Sequence, residues 1–117
     1  MNGFRKIATT AIILAGLTHT DAFAAGFVSG TVVSVRVDQT GHGMVFFSQA
    51  VGSAPPSCVI SAYANALAFD ANTAGGKAVL ALALAAKATG AVISASGLGT
   101  CAIFSSFVED WDYGVAQ

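Results

Sequence analysis

Few residues in this chain are equipped for acid, base or nucleophilic chemistry. Beyond the first 24 positions the one histidine is His42, set in the glycine-rich turn QTGHG. It has no partner at a motif spacing, and a lone turn histidine reads as a solvated residue. No GxSxG elbow exists to expose a serine nucleophile. Gly75-Gly76-Lys77 lacks the spaced glycine and the following hydroxyl of a phosphate loop. Lys77 therefore reads as a solvated residue in a first helical turn. Glu109, Asp110 and Asp112 place three carboxylates close together. Calcium favours such oxygen sets, but this spacing matches no EF-hand loop, and the cluster reads as surface charge. Trp111 and Tyr113 have apolar bodies with polar tips, suited to a sugar face or a partner. Packing over one end of the fold is the simpler role. The inventory points away from an enzyme and from any metal or organic cofactor, and toward binding.

Composition narrows the class of partner. The chain has 117 residues, 55% hydrophobic and only 9% charged. Arg5 and Lys6 precede a mostly apolar run, Ile7 to Leu17, then the polar THTD and Ala22-Phe23-Ala24. That is the layout of a secretory signal peptide, residues 1–24, cut after Ala24 with Ala25 as the neighbouring choice. The run is too short to span a bilayer, which needs roughly 20 such residues. The mature part, residues 25–117, is expected to be a single domain in the periplasm or outside the cell. Its charges are Arg36, Lys77 and Lys87 against Asp38, Asp70, Glu109, Asp110 and Asp112. No basic patch exists, so nucleic acid is not an expected partner. Cys58 and Cys101 are the only cysteines, and export makes a disulfide between them the simplest reading. So apolar and small a domain has trouble hiding its hydrophobic surface, which points to association.

Periodicity outlines the elements. GFVSGTVVSVRVDQ alternates as a half-buried strand, with Thr31, Val33, Val35 and Val37 on one side. Gly30 within it suggests a bulge or a close backbone approach. MVFFSQA completes a hairpin across QTGHG. VGSAPPS is a loop. CVISAYANALAFD reads as a third strand, with helix as its rival. Thr73 is an expected N-cap, Lys77 to Thr89 a helix, and Gly90 its stop. The helix is apolar on every side, so both of its faces are expected to be covered. AVISAS and CAIFSSFV read as strands, and EDWDYGVA as a last short strand or turn. In an extended form Glu109, Trp111 and Tyr113 share one face and Asp110 and Asp112 the other. The fold class is mainly β with one central helix. The order β-β-β-α-β-β is that of an OB-fold, a small five-stranded Greek-key barrel.

The segments PPSC and FDANTAGGKAVLALALAAKATGAVISASGLGTC resemble the B subunits of AB5 toxins, in the group of subtilase cytotoxin and the typhoid and pertussis-like toxins. The resemblance covers nearly all of the mature chain. It implies an OB-fold, a homopentameric ring with each helix facing the channel, an A-subunit partner, and binding of host cell-surface glycans of the sialic-acid type. Leu80, Leu84, Lys77 and Lys87 would then lie at the oligomer interface. In related subunits a serine followed by glycine early in the first strand binds the sugar. Ser29-Gly30 match it. Phe27 stands where some relatives carry a contacting tyrosine, so that phenolic oxygen is missing. The parity of Ser29 matches the valine face, which would turn it inward instead. The alternative reading is a stand-alone periplasmic or secreted structural protein of the same fold with no glycan site.

Overall fold

A computed structural model describes residues 24–117. The leader assignment for residues 1–24 therefore lies almost wholly outside the described residues. The elements are β1 (Gly26–Val37), β2 (His42–Phe47), β3 (Gly52–Ser53), β4 (Ala66–Asp70), α1 (Ala74–Thr89), β5 (Val92–Gly97) and β6 (Glu109–Ala116). The chain is mainly β with one helix and a six-stranded sheet. β1 pairs with β2, β2 with β4, β4 with β6, β6 with β5, and β5 with β1 again. The five longer strands thus form a sheet closed on itself. All these pairings are antiparallel except β4 with β6. β3 is a two-residue addition on the outer edge, inside the segment read as a loop.

The parity of β1 is not what alternation alone suggests. Its buried residues are Gly26, Val28, Gly30 and Val32, and Val33 is exposed. A bulge between Val32 and Ser34 inserts one residue and flips the faces, so Val35 is the next to turn inward. Gly30 is instead a close approach, where a Cβ would lie 2.9 Å from Ser48 Oγ.

Two expected strands are not strands. Residues 58–65 form turns and one 3₁₀ turn, Ser61–Tyr63, and only Ala66–Asp70 of that segment extends. Residues 100–108 also fold as turns, with Ser105 and Ser106 at positive φ. Both segments are rich in apolar and β-branched residues because they cover a surface, not because they pair. Met44, Ala66, Ala68 and Val108 form a second buried cluster, packed by Phe46, Tyr63, Ile103 and Phe104. β4 is consequently buried on both faces. The Cys58–Cys101 disulfide ties these two covering segments together, with Cα atoms 6.2 Å apart.

The main core lies between the closed sheet and α1, and includes Val28, Val45, Phe47, Leu67, Phe69, Ile93, Ala83 and Ala86. Thr73 caps the helix, its hydroxyl accepting the Gly76 N–H at 2.9 Å. Gly90 ends it in the left-handed conformation. Gly76 is required, because a Cβ there would fall 1.6 Å from the Asp70 carbonyl oxygen.

The carboxylates expected at the surface are in part buried. Glu109 is 1% and Asp110 3% exposed. Asp110 accepts the Thr100 hydroxyl at 2.7 Å, the Ala102 N–H at 2.8 Å and the Ile103 N–H at 3.0 Å. Only Asp112 stays outside, since a second irregularity between Ser96 and Gly97 makes it an extra residue in β6.

Asp110→Ala is expected to cost about 3 kcal/mol, because it removes a buried carboxylate and leaves three part-buried donors without their acceptor. Asp112→Ala should stay within about 0.5 kcal/mol. Urea unfolding of the two variants measures the contrast. Replacing both Cys58 and Cys101 by serine should remove about 4 kcal/mol, since the bridge closes a loop with a sequence separation of 43.

Candidate functional site

The outward face of β1, β5 and β6 gathers residues from distant parts of the chain. Phe27 pairs with Ser96, and Ser96 pairs with Tyr113. In the next row Ser29 pairs with Ser94, and Ser94 with Val115. Side chains directly opposite one another in neighbouring strands share a face. Phe27 and Tyr113, 44% and 56% exposed, thus flank Ser96 as two rings about 10 Å apart at two strand spacings.

Ser29 is exposed and outward, not inward as its parity with the valines suggested. The bulge beyond Val32 accounts for the difference. The Ser29 and Ser94 hydroxyls lie 3.1 Å apart, and Gln117 Nε2 donates to Ser94 Oγ at 2.9 Å. This line of two hydroxyls and an amide runs beside the aromatic pair. Each hydroxyl still has capacity to donate or accept. The described cations Arg36, Lys77 and Lys87 lie on other surfaces: Arg36 at the far end of β1, the two lysines on α1. The site is a neutral, hydroxyl-lined shelf with apolar walls.

The sequence brought out Phe27, Ser29, Gly30 and Tyr113 separately. Pairing now joins three of them and turns Gly30 inward. Ser94, Ser96 and Gln117 were missed. Nothing marks them locally, because their relevance comes from β5 lying between β1 and β6.

Trp111 is buried, not on the shelf. Its ring stacks with Phe47 at 6.1 Å between centroids. One edge reaches a groove of about 320 Å³ beside the start of α1, lined also by Phe69, Thr73, Gly76, Val79 and Asp112. Asp70 on its rim is held below the usual carboxylate range, chiefly by the Asn72 backbone N–H, with the Asn72 side chain and His42 adding to the effect. His42 opens β2, half-buried, with its ring edge-on to Phe104 at 5.7 Å. Arg36 forms a two-pronged ion pair with Asp38 at 2.6 and 2.8 Å and lies over Phe104 at 5.7 Å. Asp38 and then Tyr63 hold the guanidinium above its ordinary value. These contacts seat side chains and assemble no nucleophile with a base. No group of three or more metal-ligating side chains occurs among the described residues.

A second surface lies on α1. Ala78, Ala81, Leu84, Ala85 and Ala88 are exposed, with Leu84 at 51%. Lys77 and Lys87 are exposed near the two ends of this face. Leu80 is half-buried and packs on the main core. One face of the helix is therefore covered by its own sheet, and the other is left bare.

No family model, curated protein or solved structure matches the chain.

Two aromatic residues two positions apart should respond oppositely to truncation. Trp111→Ala should cost about 3–5 kcal/mol. Tyr113→Ala should stay within about 0.5 kcal/mol. Equal losses in urea unfolding would place Tyr113 in the core and remove it from the shelf.

Proposed function

We propose that this chain is an exported OB-fold protomer that assembles as a ring and binds glycans on the outward face of β1, β5 and β6. The single observation carrying this reading is the shelf: Phe27 and Tyr113 flanking Ser96, with Ser29, Ser94 and Gln117 alongside. A sugar ring has an apolar face and a hydroxyl rim, and the shelf offers surfaces for both. Aromatic faces take the C–H surface. Serine and glutamine side chains exchange hydrogen bonds with hydroxyls or with a sugar carboxylate. Tyr113 supplies an exposed phenol on the same face as Phe27, two strands away. Sialic acid is the sugar class the resemblance implies.

The fold assignment is supported by the pairing order, which runs β1-β2-β4-β6-β5 and back to β1, with α1 between β4 and β5. Setting aside the two-residue β3, this is a five-stranded barrel with its helix between the third and fourth strands. Ring assembly is supported by the bare face of α1. Alanines at 78, 81, 85 and 88 let helices approach closely, and a second copy of the same helix is the occupant proposed. Five copies, and an A subunit at the ring face, follow from the resemblance. The disulfide and the absence of a membrane-spanning helix among the described residues agree with export.

The purified exported protein should bind sialylated glycans on an array. Ser29→Ala and Tyr113→Ala should each weaken that binding at least tenfold, about 1.4 kcal/mol. Light scattering should give about five protomer masses, and Leu84→Asp should reduce the particle to one mass without unfolding it. An array without binding, from a particle that still assembles, would favour the stand-alone structural protein.

A further inference from the structure

Glu109 is 1% exposed, and its carboxylate meets no cation among the described residues, where the one ion pair joins Arg36 and Asp38. It is met by backbone N–H groups instead. Gly26 N lies 3.1 Å from Oε1 and 3.0 Å from Oε2. Gly99 N–H donates to Oε2 at 2.9 Å. One amide hydrogen is thus shared by two oxygens, although a carboxylate offers about four acceptor sites. A buried ionised carboxylate is costly without a partner of opposite charge. Position 26 is also sterically reserved. A Cβ there would lie 2.4 Å from Val51 Cγ1 and 2.6 Å from Glu109 Oε1. The chain leaves this spot at once, since Ala25 is half-buried and Ala24 exposed.

We propose that Glu109 is the counter-ion of the amino terminus created when the leader is removed. The proposal rests on the export reading and is independent of glycan binding. A leader peptidase adds water across the Ala24–Ala25 bond. The water oxygen goes to the Ala24 carbonyl carbon, the C–N bond breaks, and Ala24 leaves as a carboxylate. The Ala25 nitrogen takes up protons and becomes an ammonium. It is attached one residue from the amide that Glu109 already holds, and backbone geometry keeps it within about 4 Å of that amide nitrogen. A cut after Ala25 puts the ammonium on the Gly26 nitrogen itself. Either cut replaces a neutral peptide group with a positive charge and three donors at a buried anion. Leader removal thereby stabilises the folded state, so the mature form is held more firmly than its precursor.

The test begins with the intact mass of the protein exported with its own leader, which should start at Ala25 or Gly26. Any other processed start would overturn the proposal while leaving export in place. The unprocessed 117-residue mass would overturn the export reading itself. The charge is then tested on chains released from a fusion in vitro, which does not depend on export. One starts at Ala25, and the other carries Gly-Ser-Gly-Ser ahead of it. The extended chain should melt about 5 °C lower, and the difference should vanish when both carry Glu109→Gln. Equal midpoints, or a difference that persists in the Gln pair, would sink the idea. Should the Gln pair not fold, acylation of the terminal amine by an amine-selective reagent decides. It should be at least tenfold slower for the Ala25 start than for the extended chain, and equal rates would overturn the proposal.

Discussion

Two neighbouring carboxylates, Glu109 and Asp110, leave water at the start of β6 and are met almost wholly by backbone N–H groups. Adjacent residues of a strand point to opposite faces, so the pair reaches in two directions. Glu109 gathers the first residue of β1 and the turn after β5. Asp110 gathers residues 100–103 into the cover over β4. The same two residues also make the parallel pairing of β6 with β4. Closure of the sheet, burial of the second core and placement of the chain's first strand residue therefore all depend on one dipeptide. Gly97 and Gly26 follow from it, since a Cβ at either would collide with the Glu109 carboxylate.

The shelf depends on that closure. Phe27, Ser96 and Tyr113 come from three strands whose alignment is fixed only when β6 is seated between β4 and β5. Two irregularities then decide what faces out. The bulge after Val32 ends one alternation and starts another. The shift at Ser96/Gly97 leaves Trp111 facing inward and Tyr113 outward. Core and shelf thus draw on the same few residues of β6.

Much of this was legible from sequence, and the reasons differ by element. The helix was readable because its signals are local: a hydroxyl at Thr73, a glycine at Gly90 and an apolar repeat between them. The disulfide followed from two cysteines in a chain whose first residues read as a leader. Residues 58–65 and 101–108 were misread because apolar and β-branched side chains look the same whether they pair in a sheet or lie over one. Glu109 and Asp110 were misread because side-chain charge predicts exposure, and only three-dimensional packing brings backbone donors to them. Of the shelf, Ser29, Phe27 and Tyr113 carried their own signals. Ser94, Ser96 and Gln117 acquire meaning through register alone.

The strand that completes the sheet is the last one in sequence. β6 lies between β4 and β5, so everything before Glu109 contains a sheet with a missing stave. The link from Glu109 back to Gly26 spans 83 positions, a contact of high sequence separation that carries a large closure entropy. A chain with this wiring gains little from folding early. Until its final segment is made, the chain lacks the strand that joins β4 to β5 and closes the sheet.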